Sequence, residues 1–275
     1  MDDKFVLPED YVEPNCPLNM NKDNKIKRIP VMRVIEKLDS HLAKNDYDAA
    51  ERHLLYWMEE AEQGYDEQGL LTVYNELMGL YRKQGKKEKA LDFAQKAIVL
   101  VEKAELLGTF TAGTTYLNSA TVYKAFGLTD LSIDLFERAK TTYEKVLPQG
   151  DSRFGGLYNN MALALVDAKR YDEAEQLYLK ALDIMGKEDG GGLEQAITYL
   201  NMATMVEVRF PREKGDLLIK EYVEKAMTFI EDYPLEKGGY YAFVCEKCAT
   251  SFGYYCFPEY AKELSARARR IYEGS

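Results

Sequence analysis

The sequence predicts an all-α solenoid of about six stacked helix pairs, and three observations carry that expectation. A short motif returns at a fixed step: YNELM at 74–78, YLNSA at 116–120, YNNMA at 158–162 and YLNMA at 199–203, with tyrosine steps of 42, 42 and 41 residues. A companion series keeps the same period: KQGKKEKALDFAQKA, KAFGLTDLSIDLFERA and DAKRYDEAEQLYLKA end at Ala97, Ala139 and Ala181, again 42 and 42 apart. Each unit reads as two amphipathic helices joined by a short turn, with small residues such as Ala90 and Ala174 where helices must approach closely. Repeats of this kind stack, because one unit cannot bury its apolar face alone.

The elements follow in chain order. Residues 1–29 lack the repeat pattern, and Pro8, Pro14, Pro17 and Pro30 make them an extended arm. FVLPEDYV and CPLNM in that arm carry apolar side chains, so it is expected to pack on the first helices; the alternative is that it lies in the groove as a stand-in for a ligand. The solenoid spans 30–275, with repeats at about 30–66, 70–108, 110–148, 152–188, 193–233 and 237–273. In the first, PVMRVIEKLDSHLAKND pairs with YDAAERHLLYWMEEA, and Ala50 takes the close-packing position. KEDGGGLEQ, 187–195, joins the fourth and fifth, and Gly190, Gly191 and Gly192 are expected to form the most flexible link. In the fifth, EVRFPREKGD makes a turn about four residues longer than its equivalents, placed in a loop by Pro211 and Gly215. Its second helix reads LLIKEYVEKAMTFIEDY, with Ala226 as a small residue, and the sixth repeat is GGYYAFVCEKCATSFGYYC followed by PEYAKELSARARRIYEG.

This pattern resembles the tetratricopeptide repeat, most closely in RYDEAEQLYLKAL at 170–182. The usual period is about 34 residues. The longer period here is like that of kinesin light chains and many bacterial proteins. The extra length is about two helical turns, which keeps each apolar face nearly in phase. The resemblance implies a right-handed superhelix with a concave groove lined by the first helix of each pair.

Composition narrows the function. The net charge is -10, which disfavours nucleic acid and anionic membranes as partners. No apolar run approaches the ~20 residues of a membrane helix. The start, MDDKFVLPED, lacks the regions of a signal peptide, so a cytoplasmic chain with reduced thiols is expected. With two histidines, no Gly-rich phosphate loop and no catalytic constellation, the expectation is no enzyme and no cofactor.

VCEKCATSFGYYC, 244–256, raises a metal or redox alternative through its C-x-x-C. The repeat register places Cys245 with Tyr74, Tyr116, Tyr158 and Tyr199, and Cys248 with Leu77 and Met161. Both are core positions in mid-helix, where a thiol is neither near a helix N-terminus nor beside a fourth zinc ligand. The expectation is therefore no metal site, with cysteine acting as a small hydrophobe. Cys256 falls where Gly85 and Gly127 make the turn.

The resemblance implies that groove-lining positions lie one, two and five residues after the repeat tyrosine. One residue after come Asn75, Leu117, Asn159 and Leu200; two after come Glu76, Asn118, Asn160 and Asn201, with Lys247 in the last repeat. Asn118, Asn160 and Asn201 would form a ladder. An amide carries a donor and an acceptor, so it can pair with both groups of a peptide backbone. In long-repeat relatives asparagines at this position hold peptides this way. The alternative is that they bond to neighbouring helices and set inter-repeat geometry, and both can hold together. Arg82, Lys83 and Lys124 would make one part of the groove positive, while Asp167 and Glu207 make another negative, which would orient a peptide with an acidic end; ordinary solvated charge is the alternative. The clamp for chaperone C-terminal carboxylates is not expected, since Asn75, Gly79 and Gly156 occupy several of its positions.

The expected function is thus non-catalytic binding of a protein or extended peptide in the groove. A self-associating scaffold, a peptide-sensing regulator acting through a separate partner and a thiol or zinc protein are the alternatives. Tyr240, Tyr241, Tyr254 and Tyr255 would leave the last repeat somewhat apolar, as a homodimer contact or a poorly capped end.

Overall fold

The computed structural model describes residues 26–103 and 106–274. Within them lie twelve α-helices: α1 (Val31–Leu42), α2 (Tyr47–Gln63), α3 (Glu67–Lys83), α4 (Lys87–Lys103), α5 (Phe110–Ala125), α6 (Thr129–Val146), α7 (Arg153–Asp167), α8 (Tyr171–Met185), α9 (Gly192–Arg209), α10 (Arg212–Glu231), α11 (Gly239–Tyr254) and α12 (Pro258–Glu273). The fold is an all-α helical-repeat solenoid, and each odd helix packs on its even successor.

Local chemistry starts and stops these helices. Asp46 and Thr109 cap α2 and α5 by accepting from the amides of Ala49 (3.0 Å) and Ala112 (3.2 Å), and Pro258 opens α12 at a position where no N–H is required. Five of the six turns inside helix pairs end the same way. A left-handed residue follows the first helix: Asn45 (φ 54°), Gly85 (68°), Gly127 (76°), Lys169 (60°) and Cys256 (67°). The next amide then bonds back to the carbonyl five residues earlier, as in Lys86 to Tyr81 (2.9 Å), Arg170 to Leu165 (2.8 Å) and Phe257 to Phe252 (2.8 Å). Cys256 does stand where Gly85 and Gly127 turn the chain. A side chain in this conformation carries strain that glycine lacks. Lys169→Gly is therefore expected to raise stability by about 0.5–1 kcal/mol, read as a higher urea midpoint with an unchanged slope; no increase would mean the turn holds Lys169 without strain.

The close-packing alanines are buried as the register requires: Ala50, Ala90, Ala97, Ala139, Ala174, Ala181 and Ala226 all lie within the core. Tyr81, Tyr143, Tyr178 and Tyr241 are fully buried, which places most of their bulk in the same apolar layers.

The contacts divide the chain into two compact units, with the boundary between Val146 and Leu147. In the first unit, α3 packs on α5; in the second, α7 packs on α9 and α9 on α11, so first helices lie side by side. The glycine run expected to be the most flexible link lies inside the second unit, not at this boundary. Gly190 takes φ 84°, and a Cβ on Gly191 would stand 1.9 Å from the Met185 carbonyl oxygen. These glycines allow a tight turn between α8 and α9.

Of the expected N-terminal arm, residues 1–25 lie outside the described residues. Residues 26–29 pack on the first repeat. The Lys27 amide donates to the Gly64 carbonyl (2.8 Å), and the Ile29 amide donates to Asp66 Oδ2 (2.9 Å) with the Ile29 side chain buried. A Cβ on Gly64 would meet the Lys27 carbonyl oxygen at 2.2 Å, so glycine is what lets the arm lie this close.

At the other end, the four tyrosines do not form one apolar face. Tyr241 is buried, Tyr240 donates to Glu194, and Tyr254 and Tyr255 donate to Glu207, so three phenols tie α11 back to α9. The last helix brings its own polar side, with Leu264 and Ala268 buried and Lys262, Glu263, Arg269 and Arg270 exposed.

Candidate functional site

The asparagines expected in the groove form two clasps of one design. In the first unit, Asn118 on α5 donates through Nδ2 to Asn75 Oδ1 on α3 (2.9 Å). Asn75 Nδ2 in turn donates to the Leu71 carbonyl (2.9 Å) and to Thr115 Oγ1 (3.0 Å), a buried hydroxyl on α5. In the second unit, Asn201 on α9 donates through Nδ2 to Asn159 Oδ1 on α7 (3.0 Å), and Asn159 is buried. In both clasps the asparagine two residues after the repeat tyrosine donates to the one that sits one residue after it in the preceding repeat. Asn160 obeys the same rule by exception. The acceptor position in the repeat before it is Leu117, which carries no amide, and Asn160 donates instead to the Gly156 carbonyl of its own helix (3.0 Å).

The alternation Asn75, Leu117, Asn159, Leu200 thus sets which repeats can be clasped. It was readable in the sequence, but its meaning needed the neighbouring helix. The two clasps lie in separate units.

Clasping leaves the amides half used. Asn118, Asn160 and Asn201 are all half-buried, and each donates one proton. Among the described residues, the Oδ1 atom of each has no hydrogen-bond partner. An amide anchored at one edge presents the other in a set direction, which lowers the entropy lost on binding.

The remaining expected residues are dispersed. Arg82 and Lys83 are exposed in the last turn of α3, and Lys83 Nζ lies 5.5 Å from the centre of the Tyr47 ring. Lys124 is half-buried in the last turn of α5. Lys247 is exposed on α11, 5.9 Å from the centre of the Phe243 ring. Glu76 is half-buried without an ion-pair or hydrogen-bond partner among the described residues; burial, and then the charge of Asp39, pushes its carboxyl up from the usual range. A carboxyl so placed does not attract an acidic peptide end.

The cysteines sit where the register put them. Cys245 and Cys248 are buried in mid-α11 as free thiols, and burial pushes Cys248 up to about 12 and Cys245 up as well. Such thiols stay protonated and unreactive at neutral pH. Among the described residues no group of three or more His, Cys, Asp or Glu side chains is placed to hold a metal ion, and no helix is long and apolar enough to cross a membrane.

The helix-pair stack with small residues at its contacts defines a class, the helical-repeat scaffold that serves protein interaction. Residues 154–207, covering α7, α8 and most of α9, match the tetratricopeptide repeat family model. The match covers these helices alone, and the helix pairs before and after them repeat the same architecture. Among solved structures it is similar to BtubC (BKLC) from P. vanneervenii, at 17% identity and a TM-score of 0.54 over 84% of this chain and 91% of that one. It is also similar to a variant of the kinesin light chain nearly identical TPR-like repeats of Podosopora anserina, at 16% identity and a TM-score of 0.50 over 73% and 93%. Both likenesses are of fold. Two curated relatives are named clustered mitochondria protein homologs. The one from Candida albicans is 26% identical over 73% of this chain, and the one from Debaryomyces hansenii 28% over 44%. The chain matches only 15% and 9% of their respective lengths.

Proposed function

We propose that the chain is a non-catalytic module that binds an extended peptide segment of another protein across the first helices of its repeats. Asn118 in the first unit, and Asn160 and Asn201 in the second, would meet peptide backbone, with Asn75 and Asn159 holding two of them in place. The observation that carries this reading is that each ladder amide is anchored by one N–H and, among the described residues, keeps its carbonyl oxygen unpartnered. A purely structural amide would gain by using both ends. Arg82, Lys83, Lys124 and Lys247 would add positive charge along the same helices, and Glu76 would remain a spectator.

Asn160 makes the reading testable, because among the described residues its hydrogen-bond partner is its own helix. Asn160→Ala should leave the helical spectrum and melting unchanged, while weakening capture of a partner from source-cell lysate by about tenfold. The triple change Asn118→Ala, Asn160→Ala, Asn201→Ala should abolish capture. If a folded triple variant holds the same partner as the wild type, the asparagines serve repeat geometry alone and the site lies elsewhere.

A further inference from the structure

A second site is carried by the turn of the fifth repeat, which is not the longer loop expected from EVRFPREKGD: only Phe210 and Pro211 separate α9 from α10, and Gly215 lies inside α10 because the helix restarts directly after Pro211. Here the chain does not make the left-handed turn found in the other pairs. Phe210 is extended (φ -115°, ψ 148°) and Pro211 caps α10. Between this turn and the one joining α11 to α12 lies a cavity of about 580 Å³, within the roughly 300–1,000 Å³ range of ligand sites. Its walls include Phe210, Tyr254, Tyr255 and Phe257, and Tyr254 and Tyr255 meet edge to face at 5.1 Å.

The charge on these walls is one-sided. Glu207 and Asp216 line the cavity against Lys220, which leans toward Glu224 at 3.7 Å. Glu207 accepts from Tyr254 Oη at 2.6 Å and from Tyr255 Oη at 3.3 Å, and among the described residues no cation pairs with it. A carboxylate has about four acceptor positions, so two remain. The phenols fix its orientation without neutralising it. A half-buried carboxylate beside aromatic faces is the chemistry that receives an organic cation. The local aromatics already accept this geometry: the Arg209 guanidinium lies 5.0 Å from the centre of the Phe210 ring, its charge met by Asp172 and Glu175.

We propose that this cavity takes an arginine side chain from a basic segment of a partner protein, with Glu207 as its counter-charge and Phe210, Tyr254 and Phe257 as stacking walls. Arginine fits better than lysine because its guanidinium is planar and can stack while meeting both remaining carboxylate positions. The site is read by different residues from the asparagine clasps and does not depend on them.

The test is a titration of the full chain, by calorimetry and by amide shifts, with the probe acetyl-Gly-Gly-Arg-Gly-Gly-amide. A second probe replaces arginine by citrulline, which has the same shape and no charge. The arginine peptide should bind saturably, shift amides near Gly215 and Phe257, and slow alkylation of the exposed Cys256 thiol as read site by site by mass spectrometry. Citrulline should bind about tenfold more weakly. Glu207→Gln should remove most of that difference, Asp216→Asn should weaken binding in a folded protein should the first variant not fold, and Asn160→Ala should change nothing. Equal binding of both probes would overturn the proposal, as would an arginine affinity that ignores Glu207→Gln and Asp216→Asn. Loss of binding in Asn160→Ala would place the cation among the clasp asparagines and overturn it too.

Discussion

Asp66→Ala is expected to lower the unfolding free energy by about 2–4 kcal/mol. Asp66 is buried and uses both carboxylate oxygens: Oδ1 accepts from the Gly69 amide at 3.0 Å and caps α3, and Oδ2 accepts from the Ile29 amide at 2.9 Å. Loss of the cap costs about 1 kcal/mol. The Ile29 N–H is then left in the interior without an acceptor, at a further cost of about 1–3 kcal/mol. A Cβ on Gly69 would approach Ile29 Cγ1 at 2.6 Å, so the segment has no slack with which to find another partner. Urea unfolding measures the total, and limited proteolysis should show faster cleavage around residues 26–29. Asp66→Asn keeps one strong acceptor and should lose roughly half as much. A loss below about 1 kcal/mol in the alanine variant would mean the arm contributes nothing and the cap alone matters.

Asn75→Ala is expected to cost about 2–3 kcal/mol. The change removes the acceptor for Asn118, the donor to buried Thr115 and the donor to the Leu71 carbonyl. Asn118→Ala removes only one of those bonds and should cost about 1 kcal/mol. The double variant should show a coupling of about 0.5–1.5 kcal/mol between the two sites. Asn160→Ala, by contrast, should stay within about 0.5 kcal/mol of the wild type, because among the described residues it bonds only within its own helix. Additive costs at Asn75 and Asn118 would mean that the 2.9 Å bond between them carries no net stability.

The repeat was legible because its causes are local and recur. Tyrosine, alanine and turn positions return every 41 or 42 residues, and any residue's environment follows from its place in that cycle. That reasoning placed Cys245 and Cys248 in the core and Cys256 in a turn, and the structure has them there. At the glycine run 190–192 composition suggested a flexible link, and spacing could not show the close approach found there. Whether a glycine gives freedom or a close approach depends on what lies against it, and at Gly191 that is the Met185 carbonyl. Composition also read the tyrosines of the last repeat as an apolar end, since hydroxyl partners on another helix, such as Glu194 and Glu207, cannot be seen from spacing.

The asparagines divide along the same line. Their positions were plain in the sequence, and so was the alternation of Asn75, Leu117, Asn159 and Leu200. Which amide donates to which was not, because a hydrogen bond between repeats depends on the angle and rise of one helix against the next. The cavity beside Phe210 is further still from the sequence. Its walls come from residues 207–223 and 254–257, and only the packing of α10 against α9, and of α9 against α11, brings them together.

By itself the sequence determined the helix pairs, their register and the residue types at each repeated position, since periodic burial and local turn chemistry decide these. The tertiary structure alone decided the partners: the arm on Asp66, the Asn118–Asn75 and Asn201–Asn159 clasps, and the carboxylate of Glu207 among aromatic rings. Those pairings join residues more than 35 positions apart, and the direction of a side chain across such a gap is set by how helices stack, not by the order of the chain.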